Sequence, residues 1–183
     1  MRLLKNILLV MISPKVGWED VERCGFPTSR ILRGAFYPLL VILAISSFVP
    51  MVYDSVGNTV TSSLMKAIIA VAMYLFSYYF ASYLLSGFYP ELARSRITLA
   101  RLNNFIIYCL IFEILITIII NLLPGTFAPL YFLFIYVGYM AMRGAPFLGL
   151  KESKLNKFVT IATFMLIGFP LIIKWLLSII IIK

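Results

Sequence analysis

The residue types that can do chemistry are few in this chain, and they lie far apart. It contains no histidine, and Glu113 is the one acid set inside the apolar run 105-FIIYCLIFEILITIIINLLPG-125. Without histidine the commonest general base and the commonest metal ligand are missing. Glu19, Asp20 and Glu22 fall together on one short polar stretch, which reads as a solvated face. Neither a phosphate-cradling glycine loop nor a dinucleotide fingerprint occurs. The expectation is a protein with no catalytic residue, no metal and no cofactor, and so not an enzyme.

Glu113 still needs an explanation. A carboxylate at the centre of a lone membrane helix costs about 2.5–3.5 kcal/mol, so it must be protonated, hydrogen-bonded or paired. At about 1.5 Å per helical residue, Glu113 lies roughly 14 Å above Asn104 and Lys174 roughly 14 Å below Lys183. Across a hydrocarbon layer of about 30 Å those depths are similar, which makes Lys174 the candidate cation. Counted from Phe158, Lys174 is about 24 Å up, so tilt or a kink at Pro170 has to absorb the difference. Asn121, tyrosines and water are the remaining candidates. Three roles follow: a structural acid that fixes helix contacts, a functional polar site at midplane, or a neutral acid facing lipid.

Composition sets the solvent. The 183 residues are 62% hydrophobic and 13% charged, against about 45–50% and about 25% in soluble domains. That much apolar surface requires lipid. The net charge of +9 fits basic loops facing an anionic leaflet. Nucleic acid is not expected, because no basic cluster is interleaved with aromatics. Cys24 sits in a polar stretch and Cys109 in an apolar one, so no disulfide is expected between them.

The elements that would position these residues are helices, giving an all-α fold. Leu3, Leu4, Ile7, Leu8 and Met11 recur at helical spacing, with Arg2, Lys5 and Asn6 elsewhere: an amphipathic helix in the headgroup region. Ser13-Pro14 opens a second short helix, edged by Trp18 and Val21 and ended by Gly25. Apolar segments then cover 35–53, 64–89, 105–123, 127–142 and 158–182. The fourth is short for a membrane crossing. Residues 124–129 make a tight turn that pairs the third and fourth as an antiparallel hairpin. Residues 1–33 are thus expected to form a cytoplasmic interfacial segment, and 34–183 a bundle of five transmembrane helices. Trp18, Arg30 and Arg33 are its expected membrane-interface residues. Tyr74 and Tyr78, then Tyr79 and Tyr83, share helix faces and serve as packing and anchoring groups. Gly138, Ala141, Gly144 and Ala145 permit close helix approach.

With these residues placed, the chain resembles the Yip family of Ypt/Rab-interacting-type membrane proteins. The likeness rests on 13-SPKVGWEDV-21, 37-YPLLVILAISSFV-49 and 139-YMAMRGAPFLGLKESK-154. It implies a cytoplasmic N-terminal segment, five helices and no catalytic centre. Eukaryotic members carry an Asp-Leu-Tyr-Gly-Pro type motif before the membrane. This chain has 28-TSRILRGAFYP-38 there, so the resemblance is to the prokaryotic branch. The expected role is to organise the inner membrane or recruit partners, with anionic inner-leaflet lipid and a membrane or cytoplasmic protein as contacts and an oligomer compatible. The alternative is a small transporter or permeation subunit built on a midplane polar site.

Basic and cation-free loops alternate along the chain, which puts the N-terminus in the cytoplasm and the C-terminus outside. A reporter fused after Lys183 should therefore be active only outside the cytoplasm. Activity inside would contradict this orientation.

Overall fold

The computed structural model describes residues 2–53, 59–92, 99–124, 128–150 and 152–181. Every element among them is helical. The loops at 54–58, 93–98 and 125–127, on which much of the charge alternation and the tight turn rest, lie outside the described residues.

The chain opens with α1 (Arg2–Ile12) and α2 (Pro14–Cys24), joined through Ser13. Ser13 holds the N-cap position of α2 without a side-chain cap bond, and Pro14 supplies the preset first turn. Gly25 ends α2 in the left-handed region, at φ 55, with its N–H on Val21 O. The two helices cross where Gly17 meets Val10; a Cβ on Gly17 would lie 2.4 Å from the Val10 backbone.

Four helices are long and apolar enough to cross a membrane: α3 (Thr28–Tyr53), α4 (Val60–Phe88 of Val60–Leu92), α5 (Leu99–Leu122) and the greater part of the last helix. Residues 28–33, expected in the N-terminal segment, form the first turns of α3. Two prolines shape this helix. Before Pro38 the turn widens into a π-helix, Leu32–Phe36, in which Tyr37 N–H reaches back to Leu32 O. Around Pro50 the ladder tightens, with Val49 N–H on Ser46 O at 3.1 Å and Met51 N–H on Phe48 O at 3.2 Å. Both changes relieve the clash and the missing donor that proline imposes on a regular turn.

The fourth apolar segment is not a single long α-helix. Ala128–Ile135 is a 3-10 helix, followed by α6 (Tyr136–Gly144) and a second 3-10 piece, Ala145–Leu148, that Gly149 closes at φ 68. The last helix is α7 (Glu152–Ile181), with Pro170 inside it.

α5 is the centre. Of its most apolar window 61% is buried in the protein, against 11% for α7, so the other helices pack around α5 and α7 lies outermost. Hydrogen bonds and ring contacts fix the directions. Thr28 pairs with Asn104 and Ser46 with Asn121, so α3 and α5 run parallel. Phe105 adjoins Gly144 and Phe112 adjoins Tyr136, so α5 and α6 run antiparallel, as the hairpin reading requires. Tyr74 meets Thr117, across α4 and α5.

Small residues set the close contacts. A Cβ on Gly138 would meet Thr163 Cγ2 at 3.1 Å, and one on Gly144 would meet Trp18 Cε2 at 2.6 Å. Alanine is the better helix former by about 0.8–1.0 kcal/mol, so Gly144→Ala separates packing from propensity. It should destabilise the solubilised protein by about 1–3 kcal/mol, read as a lower thermal midpoint. A midpoint equal to or above the parent's would contradict the Trp18–Gly144 contact.

Candidate functional site: a buried acid and a docked hairpin

Glu113 lies midway along α5 and is 1% exposed. Its Oε1 has no hydrogen-bond partner among the described residues. Tyr74 of α4 and Cys109, one turn earlier on α5, lie within its electrostatic reach. Thr117 donates to the Glu113 carbonyl at 2.9 Å. A hydroxyl has one proton, so Tyr74 must be the donor in its 2.7 Å bond to Thr117 Oγ1. A phenol-to-hydroxyl-to-carbonyl chain thus knits α4 to α5 beside Glu113 and leaves the carboxyl itself outside it.

Lys174 is not the partner of Glu113. It is exposed on α7, and an ion pair the structure does form, Arg101–Glu22 at 3.3 Å, involves neither residue. The physical reason is orientation: Lys174 lies on the exposed side of α7, whereas Glu113 is buried in the core around α5. Asn121 is also spoken for: its Nδ2 donates to Ser46 Oγ at 3.0 Å, tying the far ends of α5 and α3.

Trp18, expected at the membrane interface, is instead buried at 3% exposure. Its ring stacks on Phe105 at 5.5 Å and meets Tyr108 edge-on at 5.7 Å. Its Nε1–H donates to Met140 O at 3.1 Å. The missing side chain at Gly144 makes the space that admits it. Arg30 and Arg33 do remain exposed near the start of α3, Arg30 with its guanidinium 4.8 Å from the Phe26 ring centre.

Several docking groups had no signal in the sequence. Asn6 reads as polar face, yet it is 1% exposed. In the amide orientation that satisfies its neighbours it donates to Arg2 O and Asp20 Oδ2, each at 2.8 Å. Tyr136 donates to Met11 O at 2.9 Å, and Asn104 Nδ2 to Phe26 O at 2.8 Å. Gly34 fits Leu3 in the same way that Gly144 fits Trp18. Pairing at these positions depends on contacts 14 to 125 residues apart in the chain, which no local spacing encodes.

The fold defines a class, that of multi-pass helical membrane proteins, through its four membrane-length apolar helices. Comparison with family models, with curated proteins and with solved structures finds no match.

Since no cation among the described residues pairs with Glu113, its removal strands no charge. Glu113→Gln should change stability by less than about 1 kcal/mol, where breaking a buried ion pair costs about 3–5 kcal/mol. A double-mutant cycle with Lys174→Gln should show no coupling. A loss of several kcal/mol, or strong coupling, would contradict this geometry.

Proposed function

We propose that the protein is a non-enzymatic, multi-pass protein of the inner membrane, of Yip-like layout, that organises the membrane surface or recruits partners through its N-terminal hairpin. The observation that carries this reading is the outer face of that hairpin. Leu4, Leu8, Ile12 and Val16 recur every four residues and are all exposed, Ile12 at 79%. The exposed cations Arg2, Lys5 and Lys15 flank them. The opposite side of α1, with Ile7 and Val10, is buried against the bundle. A helix apolar on two sides, one of them docked, suits burial of the other at the boundary of headgroups and acyl chains.

Five crossings are part of this proposal. A 3-10 helix rises about 2 Å per residue, so the 8 residues of Ala128–Ile135 and the 9 of α6 reach roughly 30 Å together. A segment too short as an α-helix would then span the hydrocarbon, with the N-terminus in the cytoplasm and the C-terminus outside.

The transport reading has one observation in its favour, the unpartnered Oε1 of buried Glu113. In a background with Cys24 and Cys109 replaced, a cysteine at 113 would be modified by aqueous thiol reagents if a water path reached it. Full protection would argue against transport.

The hairpin itself is tested by a fluorophore on a cysteine at position 12, in nanodiscs containing anionic lipid. Quenching by brominated acyl chains and protection from aqueous iodide is the expected result. Quenching by iodide alone would contradict the proposal.

A further inference from the structure

The hydroxyls of Ser46, Ser86, Thr160 and Ser178 close onto carbonyls one turn back on their own helices. Ser77 on α4 does not. It is 1% exposed, and its Oγ has no hydrogen-bond partner among the described residues. Glu113 Oε1 on α5 is in the same state. The two helices pack together, tied by Tyr74 on Thr117 at 2.7 Å and by Thr117 on the Glu113 carbonyl at 2.9 Å. Buried polar atoms normally bond to protein or to ordered water, so a pair of bare oxygens here calls for an occupant.

Their level follows from printed bonds at several points along the bundle. Thr28 with Asn104 and Ser46 with Asn121 hold α3 and α5 in parallel register. That register sets Phe36 level with Phe112 and Arg33 level with Cys109. Tyr74 of α4 bonds Thr117, and Tyr78, one turn on, meets the Phe36 ring at 5.6 Å. α4 therefore runs antiparallel to α5, and Ser77 passes within one turn, about 5.4 Å, of the level of Glu113. Arg33 is exposed at the basic end, and Glu113 lies about 6 Å beyond its level. The water nearest to Glu113 is thus that of the basic, cytoplasmic face.

The surroundings select the ligand. A divalent ion takes six or more oxygen ligands, carboxylates among them, and the described residues hold no cluster of acids and thiols. One carboxyl among hydroxyls needs one positive charge, because burying it ionised and unpaired is costly. Titratable groups on the neighbouring elements leave that role open. Tyr74 is engaged with Thr117, and Cys109 shares the face of Glu113 on α5. Tyr78 faces Phe36 of α3, Tyr136 of α6 donates to Met11 O, and Lys174 of α7 is exposed.

We infer that Glu113 is a proton-binding site, its carboxylic acid bonded to a buried water that the Ser77 hydroxyl also holds, in exchange with the cytoplasmic face. The carboxylate takes one proton from water and returns it there, and no bond but the O–H forms or breaks. The inference rests on the membrane-embedded reading above and on the polar site that the transport reading invokes. It requires no transport, and it does not depend on the hairpin's outer face.

The test is infrared difference spectroscopy of the full-length protein at neutral pH, in a detergent without ester groups. Subtracting Glu113→Gln from the parent should leave a carboxylic acid C=O band that shifts down in D2O. Ser77→Ala should keep the band and move it up, because the acid loses part of its hydrogen bonding. Glu113→Asp keeps an acid at the site with a displaced band, and carries the test should Glu113→Gln lower the folded yield. Carboxylate bands in place of the acid band would overturn the assignment, as would an acid band that D2O does not move. A band unmoved by Ser77→Ala would overturn the shared water. The outcomes separate this site from transport. An exchanging acid band, with Glu113→Cys fully protected from aqueous thiol reagents, leaves the proton site standing and counts against a transport path. An ionised Glu113, with that cysteine modified, does the reverse.

Discussion

Trp18 is withdrawn from both water and lipid, its ring held between Phe105, Tyr108 and the bare backbone of Gly144. Its donor is satisfied by Met140 O, so the burial leaves no polar group stranded. The contact fixes the position of a hairpin that is too short to be stable alone. Once Trp18 is seated, α1 is held across α2 at Gly17, Asn6 reaches Asp20, and Tyr136 can reach Met11 O. The outer face of α1 is then turned away from the bundle as a consequence of what its inner face must bury.

Lipid as solvent explains the other half of the architecture. Between helices in hydrocarbon there is little hydrophobic drive, so close packing and a few polar bonds carry the association. Here those bonds are Thr28 to Asn104, Tyr74 to Thr117 and Asn121 to Ser46. All three end on α5, which is why the most apolar span is also the most buried. Glu113 sits in that same helix but outside these bonds. Its setting is that of an isolated buried acid, and whatever it does, it does not do it through Lys174.

The sequence was informative wherever a property is local. Membrane-length runs at α3, α4, α5 and α7, the Pro14 start and the Gly25 cap of α2 follow from length, periodicity and backbone preference, and they recur in the structure. The fourth segment looked short because an α-helical rise was assumed; its 3-10 geometry comes from packing and prolines that spacing does not price. Trp18 looked like an interface anchor because a polar helix with one aromatic edge normally lies at a surface. Only the distant Gly144, 126 residues on, makes room to bury it. The pairing of Glu113 with Lys174 failed for a related reason. Counting along each helix does not say which side of α7 faces the bundle, and Lys174 falls on the exposed side.

The docking of the hairpin through Trp18 is tested most directly by amide hydrogen exchange of the full chain in nanodiscs. Amides of α2 around Trp18 should be protected to a degree approaching those of α5, and Trp18→Ala should release protection across α1 and α2 while α5 stays protected. Unprotected exchange throughout α1 and α2 in the parent protein would contradict the account, because it would mean that the hairpin is not seated on the bundle.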